Sequence, residues 1–184
     1  KINRDEKYSI QEAIKLLMSA KFTNFDESVD LAINLGVDPR HADQNIRITT
    51  SLPHGTGKDI KVLVVTQGPK EQEAKDAGAD YVGKEFLEKL KSGWDDLDKI
   101  VATPDMMPEL GKLGKVLGPK GLMPNPKSGT VTTDIAGSVR DLKSGKIELR
   151  VEKNGIVHAQ CGKSSFDQSA LEENVKTVYD TIMK

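Results

Sequence analysis

The sequence predicts two domains: a split α+β domain built from both chain ends, and an inserted three-layer α/β domain. Residues 60–66 (IKVLVVT) form a continuous apolar run, typical of a strand buried on both faces of a parallel sheet. Residues 27–37 (ESVDLAINLGV) alternate instead, typical of a half-buried strand. Breaks at 51–59 (SLPHGTGKD) and at Ser144-Gly145 separate the two patterns. We therefore expect the split domain at 1–54 and 145–184, and the inserted domain at 55–144.

The chain ends supply the elements of the split domain. The capping box Ser9-Ile10-Gln11-Glu12 predicts a helix that continues to Met18. Val29, Leu31, Ile33 and Leu35 then lie on one face of the alternating strand. The remaining predicted elements are strands at 45–51, 147–152 and 156–160, an Asn-Gly hairpin turn at 153–155 and a helix near 168–183. Chain termini of compact units often lie close together, which permits an insertion between them.

The middle of the chain alternates strands with helices. Strands are predicted at 60–66, 79–82 and 99–103, and helices at 69–77, 84–93 and 134–143. Gly78 follows the first helix in the position that commonly ends one. This order predicts a small parallel sheet with right-handed crossovers, and so a Rossmann-like arrangement of three layers.

Charge and length limit the function classes. The 184 residues have a net charge of −1, so a site for a polyanion must be a local patch. The most prominent one is the 22-residue stretch Leu110–Val131 (LGKLGKVLGPKGLMPNPKSGTV), with five glycines, three prolines, four lysines and no acidic residue. The single cysteine indicates a reducing compartment, and no apolar run is long enough for a transmembrane helix. We expect a cytoplasmic protein with no membrane partner.

Motifs for catalysis or nucleotide binding are weak. His41, His54 and His158 have no metal-like spacing to one another or to Cys161, so no metal site is predicted. Gly57-Lys58 lacks the rest of a Walker loop, and no GxGxxG follows the strand at 60–66. We predict no cofactor and no enzyme activity. A small α/β nucleotide-binding module or enzyme is the alternative that this pattern leaves open.

Residues 21–28 (KFTNFDES) place two aromatic rings beside a lysine, an asparagine and hydroxyls. Such a segment can lay a ring on a base or ribose and bond 2′-hydroxyls, which would make it an RNA site. The alternative is that the rings fix the helix onto the sheet, and for Phe22 we predict this packing role.

Several separated segments resemble the L1 family of ribosomal proteins, in its bacterial or organellar form. They are 117–131 (LGPKGLMPNPKSGTV), 24–47, 52–58 (LPHGTGK), 77–83 (AGADYVG), 101–107 (VATPDMM) and 153–166 (KNGIVHAQCGKSSF). The resemblance implies a structural constituent of the large ribosomal subunit, monomeric when free, located in the cytoplasmic or an organellar ribosome. Its implied partners are large-subunit rRNA at the mobile stalk beside the exit site, deacylated tRNA that it helps to release, other ribosomal components, and its own mRNA, whose translation it represses.

The resemblance also implies site residues. The rRNA-binding set comprises Lys21, Asn24, Phe25, Asp26, Glu27, Ser28, Lys153, His158, Gly162, Lys163, Ser164 and Ser165. Family members continue past this chain's last residue with a further strand and a Thr-Met-Gly-Pro segment that adds to RNA binding. The hinge between domains is expected at Pro53, His54, Gly55, Gly57, Ser144 and Gly145.

The glycine- and proline-rich stretch is predicted to be a rigid loop. In it Gly111, Gly114, Gly118 and Gly121 permit tight turns, and Pro119, Pro124 and Pro126 fix an extended path. Either the lysines Lys112, Lys115, Lys120 and Lys127 contact tRNA or rRNA, or the loop only packs and steadies its domain.

Overall fold

The computed structural model of the protein describes Asn3 and residues 5–184. These residues divide into two compact units. The first unit combines the described residues up to Lys58 with Gly145–Lys184, and the second is Asp59–Ser144. Within the described part of the chain, no helix is long and apolar enough to cross a membrane.

The helices are α1 (Ile10–Ser19), α2 (Lys70–Asp76), α3 (Phe86–Lys91), α4 (Met107–Lys112), α5 (Gly114–Leu117), α6 (Ile135–Lys143) and α7 (Gln168–Met183). The strands are β1 (Ser28–Asn34), β2 (Arg47–Ser51), β3 (Val62–Val65), β4 (Tyr81–Val82), β5 (Lys99–Ala102), β6 (Lys146–Arg150) and β7 (Ile156–Lys163). Short 3₁₀ helices lie at Ala42–Gln44, Pro104–Met106 and Pro126–Ser128.

In the first unit, antiparallel strands carry helices on one face. Strand β1 pairs with β7 and β2 with β6, and a bridge between Val151 and Val157 joins the two pairs. Side chains alternate along β7, so Val157 and Ala159 are buried among residues that include Val178 of α7, while His158 is exposed on the other face. The predicted capping box opens α1, with both reciprocal bonds between Ser9 and Glu12. The face of the sheet that carries His158 is therefore exposed to solvent at this position.

A β-bulge at the end of β7 shapes the region that becomes the candidate site. Val29 lies opposite Gly162 and Asp30 opposite Gln160, so Cys161 is an extra residue in its strand. Gly162 is buried at a φ of 151°, and a Cβ there would lie 2.9 Å from both Leu171 and Phe166. Glycine is favoured at this position, because the backbone angle is strained for other residues and a side chain would force Leu171 or Phe166 to move.

In the second unit, a parallel sheet of order β4-β3-β5 is covered on both faces. All four residues of β3 are fully buried. Val62 and Val64 pack with apolar residues of α2 and α6, whereas Leu63 and Val65 pack with those of α3, α4 and α5. The continuous apolar run therefore becomes a strand with a core on each side, which gives the three layers expected from the sequence.

The predicted loop at 110–131 is wrong in its first half, because α4 and α5 occupy that part. Leu110, Leu113 and Leu117 recur at helical spacing and are buried in the core of the unit. Their burial outweighs the cost of about 1 kcal/mol for each glycine inside a helix. Of the four glycines expected at tight turns, only Gly121 has a positive φ, of 68°. Pro126 starts a 3₁₀ turn capped by the Asn125 side chain, so the expected extended path is also wrong there.

Candidate RNA interface

Two segments far apart in the sequence meet at the start of β1 and the end of β7. The Asp26 carboxylate accepts hydrogen bonds from Ser164 Oγ at 3.1 Å, from Ser165 N at 3.0 Å and from Ser165 Oγ at 2.9 Å. We call Phe25, Asp26, Glu27, Ser28, Lys163, Ser164 and Ser165 the Asp26 surface. Three donors converging on one carboxylate fix the serine turn against the loop that precedes β1.

Three further bonds close the Asp26 surface. Ser164 N donates to the Glu27 carbonyl at 2.8 Å, and Glu27 N donates back to Ser164 Oγ at 3.1 Å. Lys163 Nζ donates to Ser28 Oγ at 3.0 Å. The hydrogen bond from the Ser165 side chain lowers the pKa of Asp26, and bonds from Ser164 and the charge of Lys163 add to this. The carboxylate is therefore ionised at neutral pH, and most of its hydrogen-bonding capacity serves the protein itself.

Two phenylalanines beside this network face solvent. Phe25 is 68% exposed and Phe22 is 89% exposed. The prediction that Phe22 packs the helix onto the sheet is therefore wrong. Ile14, Val29 and Leu171 form that contact, with Phe166 packed against them, so the cluster closes without Phe22. An aromatic ring left in water beside ordered polar groups is available for stacking.

Lys153 and His158 lie elsewhere on the first unit. The two ends of β7 place His158 opposite Ala32 and Lys163 opposite Ser28. At about 3.3 Å per residue, His158 is on the order of 17 Å from Lys163. Its surroundings are a cleft of about 1040 Å³, lined by Pro39, Arg40, Asn45, Glu148, Arg150, Val151, Glu152, Lys153, Asn154 and His158. The predicted RNA-binding residues thus form two groups on the first unit.

The cleft mixes both signs of charge. Glu148 forms an ion pair with Arg47, and Glu152 lies 3.9 Å from His158. Arg40, Arg150 and Lys153 are exposed around it. Because acidic and basic groups alternate here, the cleft is less suited to a run of phosphates than its cations alone suggest.

A comparison with known proteins gives the family. The model of the ribosomal protein L1p/L10e family matches residues 16–184. The chain belongs to this family. It is 59% identical over 176 residues to the large ribosomal subunit protein uL1 of Desulfosudis oleivorans, a match that covers 95% of this chain and 75% of the relative. The protein of the same name from Gemmatimonas aurantiaca is 56% identical over 177 residues, or 96% of this chain and 77% of that relative.

Family membership confirms the resemblance, the ribosomal location and the prediction that the protein is not an enzyme. The chemistry of Cys161 agrees with this. The thiol is buried, and burial, with the nearby charge of Asp30, raises its pKa to about 11. A protonated, buried thiol is a poor nucleophile.

The four lysines of the 110–131 stretch are all exposed. Lys112 ends α4, Lys115 lies in α5, and Lys127 lies in the 3₁₀ turn. Lys120 donates to Asp95 at 2.8 Å, so part of its charge is already compensated. The exposed lysines extend from two short helices and a turn, and whether they contact RNA stays a prediction.

The residues expected at the first hinge crossing are tied to the first unit by Asn174 of α7. This buried side chain accepts from His54 N at 3.2 Å and donates to the carbonyls of Gly55 at 3.0 Å and Cys161 at 2.8 Å. A Cβ on Gly145 would lie 2.5 Å from the Cα of Gly55, so the backbone passes closely there. All these contacts lie within one unit, and the hinge stays a prediction.

Three features of the site were not predicted from the sequence. Phe22 is exposed, Arg40 and Arg150 line the cleft, and the Asn174 side chain donates to the Cys161 carbonyl of β7. Asn174 gave a weak signal, since it is an uncharged polar residue between the apolar positions Leu171 and Val178 of an amphipathic helix. Gly162, which was predicted as an RNA-binding residue, is buried beside Phe166, and this packing explains its lack of a side chain. A contact between Gly162 and RNA stays a prediction.

Proposed function

We propose that this protein is a structural component of the large ribosomal subunit that binds folded large-subunit rRNA through the Asp26 surface. The observation that carries the proposal is the ordered network between Asp26 and the serines, which holds an exposed Phe25 beside it. The names of its relatives and its family support the ribosomal role. A rigid polar edge with an aromatic ring suits recognition of RNA by shape and stacking.

In this proposal the residues of the surface have distinct roles. Phe25 stacks on an unpaired base, and Lys21, Asn24 and Lys163 contact phosphate or ribose groups. Asp26 acts mainly as a positioning residue, because three protein donors already bind its carboxylate. Preorganisation lowers the cost of ordering these groups when the RNA binds.

The same surface would serve a similar fold in the protein's own mRNA, and binding there would repress synthesis of the protein. A contact with deacylated tRNA belongs to the exposed lysines of the 110–131 stretch, which can neutralise phosphates. Lys153 and His158, with Arg40 and Arg150, offer a second RNA contact in the cleft. In the same proposal, the two domains move about a hinge near 53–57 and 144–145.

Binding to a stalk-region rRNA fragment tests the main proposal. We expect Phe25→Ala to weaken binding about tenfold or more, because stacking contributes roughly 1–3 kcal/mol per base. Lys163→Ala should weaken binding and reduce its salt dependence. Thermal stability of Phe25→Ala should stay close to that of the unmodified chain, since the ring is 68% exposed.

Matched controls are Tyr179→Ala, which removes another exposed aromatic ring, and Lys91→Ala, which removes an exposed lysine of the second unit. Both should leave rRNA affinity unchanged. Equal affinity of all four variants would reject the Asp26 surface as the rRNA site. A fragment with the same composition and a scrambled sequence separates shape recognition from charge attraction.

A further inference from the structure

The second unit contains a crevice at the carboxyl ends of its strands, and the proposed rRNA site does not use it. Strand β3 is followed by α2 on one face of the sheet, whereas β5 is followed by a 3₁₀ turn and α4 on the other. The chain therefore leaves two neighbouring parallel strands in opposite directions. In open α/β sheets this divergence leaves a crevice where ligands bind.

A cavity of about 370 Å³ occupies this position. It is lined from the β3 side by Thr66, Gln67, Pro69 and Lys70, and from the β5 side by Thr103, Asp105 and Met106. Its volume lies at the lower end of the range for small-molecule sites, enough for a single mononucleotide but small for a dinucleotide.

An unpaired hydroxyl marks the crevice independently of its shape. Thr66 is 1% exposed, and among the described residues its Oγ1 is the buried side-chain oxygen or nitrogen atom without a hydrogen-bond partner. Buried polar groups are nearly always satisfied in native proteins, so an exception needs a reason. Gln67 next to it is exposed and donates to the sulfur of Met106, a weak acceptor. An occupant of the crevice can supply the missing partner, because Thr66 is one of the residues that line it.

The lining selects a particular chemistry. Lys70 provides one ammonium group, Asp105 one carboxylate, and Thr66, Thr103 and Gln67 neutral hydrogen-bonding groups. Lysine suits a phosphate, and a carboxylate at this edge of an α/β sheet suits ribose hydroxyls. Pro69 and Met106 add apolar surface for a base. The turn after β3 lacks GxGxxG, and Pro69 has no amide to donate, so the backbone donors that hold a pyrophosphate in dinucleotide-binding folds are reduced here.

We propose that this crevice binds one ribonucleotide, with Lys70 at its phosphate, Asp105 at its ribose hydroxyls and Thr66 as a buried hydrogen-bonding partner. The nucleotide is either free or an unpaired nucleotide of an RNA chain, and both present the same chemistry. The inference does not depend on the rRNA site of the first unit, because it uses other residues.

Titration of the full chain, followed through assigned backbone amide resonances, tests this proposal. The probes are AMP, GMP, CMP and UMP, with dAMP, inorganic phosphate and a single-stranded tetrauridylate. Saturable shifts of the amide resonances of residues 66–68, 70, 103, 105 and 106 are expected with ribonucleotides. These shifts should be weaker with dAMP and absent with phosphate alone. Tighter binding of the tetranucleotide than of UMP would identify RNA as the source, and tighter binding of UMP would identify the free nucleotide.

Three variants assign the roles. Lys70→Gln and Asp105→Asn should each weaken ribonucleotide binding about tenfold, and Asp105→Asn should also remove the preference over dAMP. Thr66→Val keeps the shape of the side chain, so it should fold normally and lose nucleotide affinity. Lys91→Gln, which changes an exposed lysine of α3, is the matched control and should change nothing.

The proposal is overturned if no ribonucleotide or tetranucleotide produces saturable shifts at these residues, or if Lys70→Gln and Asp105→Asn bind as the unmodified chain does. Binding of the stalk rRNA fragment is measured in parallel. If Phe25→Ala loses fragment binding and keeps ribonucleotide binding, the rRNA site is supported independently of the crevice. If Lys70→Gln loses ribonucleotide binding and keeps fragment binding, the crevice is supported independently of the rRNA site.

Discussion

The Asp26 surface and the 110–131 stretch are two candidate RNA-contacting regions, and they are built differently. Six hydrogen bonds hold the first together, between segments more than 130 residues apart in the chain. The second is local in sequence and presents four exposed lysines on short helices and a turn. The first region offers fixed geometry without net positive charge, and the second offers positive charge with little fixed side-chain geometry. The first region is therefore suited to recognition of a particular RNA fold, and the second to attraction to any phosphate backbone.

The largest expected effect is a loss of stability on replacing Asn174, which bonds to the backbone of β7. Asn174→Ala removes three hydrogen bonds and leaves the buried carbonyl of Cys161 without the Asn174 side-chain donor. We expect the free energy of unfolding to fall by about 2–3 kcal/mol, since unsatisfied buried groups carry a desolvation cost. Chemical denaturation measures this change. Ser169→Ala, at an exposed position of the same helix, is the control and should be neutral. An unchanged stability would show that Asn174 does not support β7.

Asp26→Ala should break the first region directly. Without the carboxylate the two serines lose their shared acceptor, and the turn is no longer fixed before the RNA arrives. We expect affinity for the stalk rRNA fragment to fall about a hundredfold, a loss near 2.7 kcal/mol.

Asp180→Ala makes the same change of net charge at an exposed position of α7 and should leave the affinity intact. If Asp26→Ala instead strengthens binding, the carboxylate acts as a repulsive charge and not as a positioning group.

Replacement of Lys112, Lys115, Lys120 and Lys127 by glutamine tests the second region. We expect affinity for deacylated tRNA to fall about tenfold and the slope of log affinity against log salt to become shallower, because fewer counterions are released. Affinity for the stalk rRNA fragment should not change. Filter binding at several salt concentrations measures both. Unaltered tRNA binding would favour the packing role for this stretch.

The smallest expected effect is a pH dependence of the first region. Since the folded-state pKa of Asp26 is lowered, its stabilising contribution is fully present above the ordinary aspartate pKa of about 3.9 and is lost as pH falls through the folded-state value. The difference in unfolding midpoint between the unmodified chain and Asp26→Asn should therefore be constant from pH 7 down to about 4 and shrink below it.

Thermal unfolding over this range measures the difference. A gap that shrinks between pH 7 and pH 5 would mean that another group controls the network.

Much of the fold could be predicted because its signals are local. The capping box at Ser9 and the apolar run at β3 each depend on a few adjacent residues, and both predictions are confirmed. The helices α4 and α5 were missed because glycine and proline dominated the interpretation. The leucines of this segment stabilise a helix only when the rest of the unit provides a core that buries them.

The site was less predictable for the same reason. Residue types at 21–28 and 162–165 indicated RNA, but not that Asp26 would be bound by serines of a distant turn. The exposure of Phe22 could not be inferred either, because the cluster of Ile14, Val29 and Leu171, with Phe166 packed against it, forms between distant segments without Phe22. A contact between distant segments has no periodic signature in the sequence.

By itself, then, the sequence determined most of the element types, with α4 and α5 as exceptions, and also the two patterns of strand burial, the family motifs and the absence of phosphate-loop signatures. These properties follow from local periodicity and from short-range capping and turn chemistry. Only the tertiary structure decided that Asp26 positions a turn, that Lys153 and His158 lie apart from Lys163, and that Thr66 is buried without a partner beside a crevice. Each of these depends on which side chains pack together, and packing depends on the whole three-dimensional arrangement of a unit.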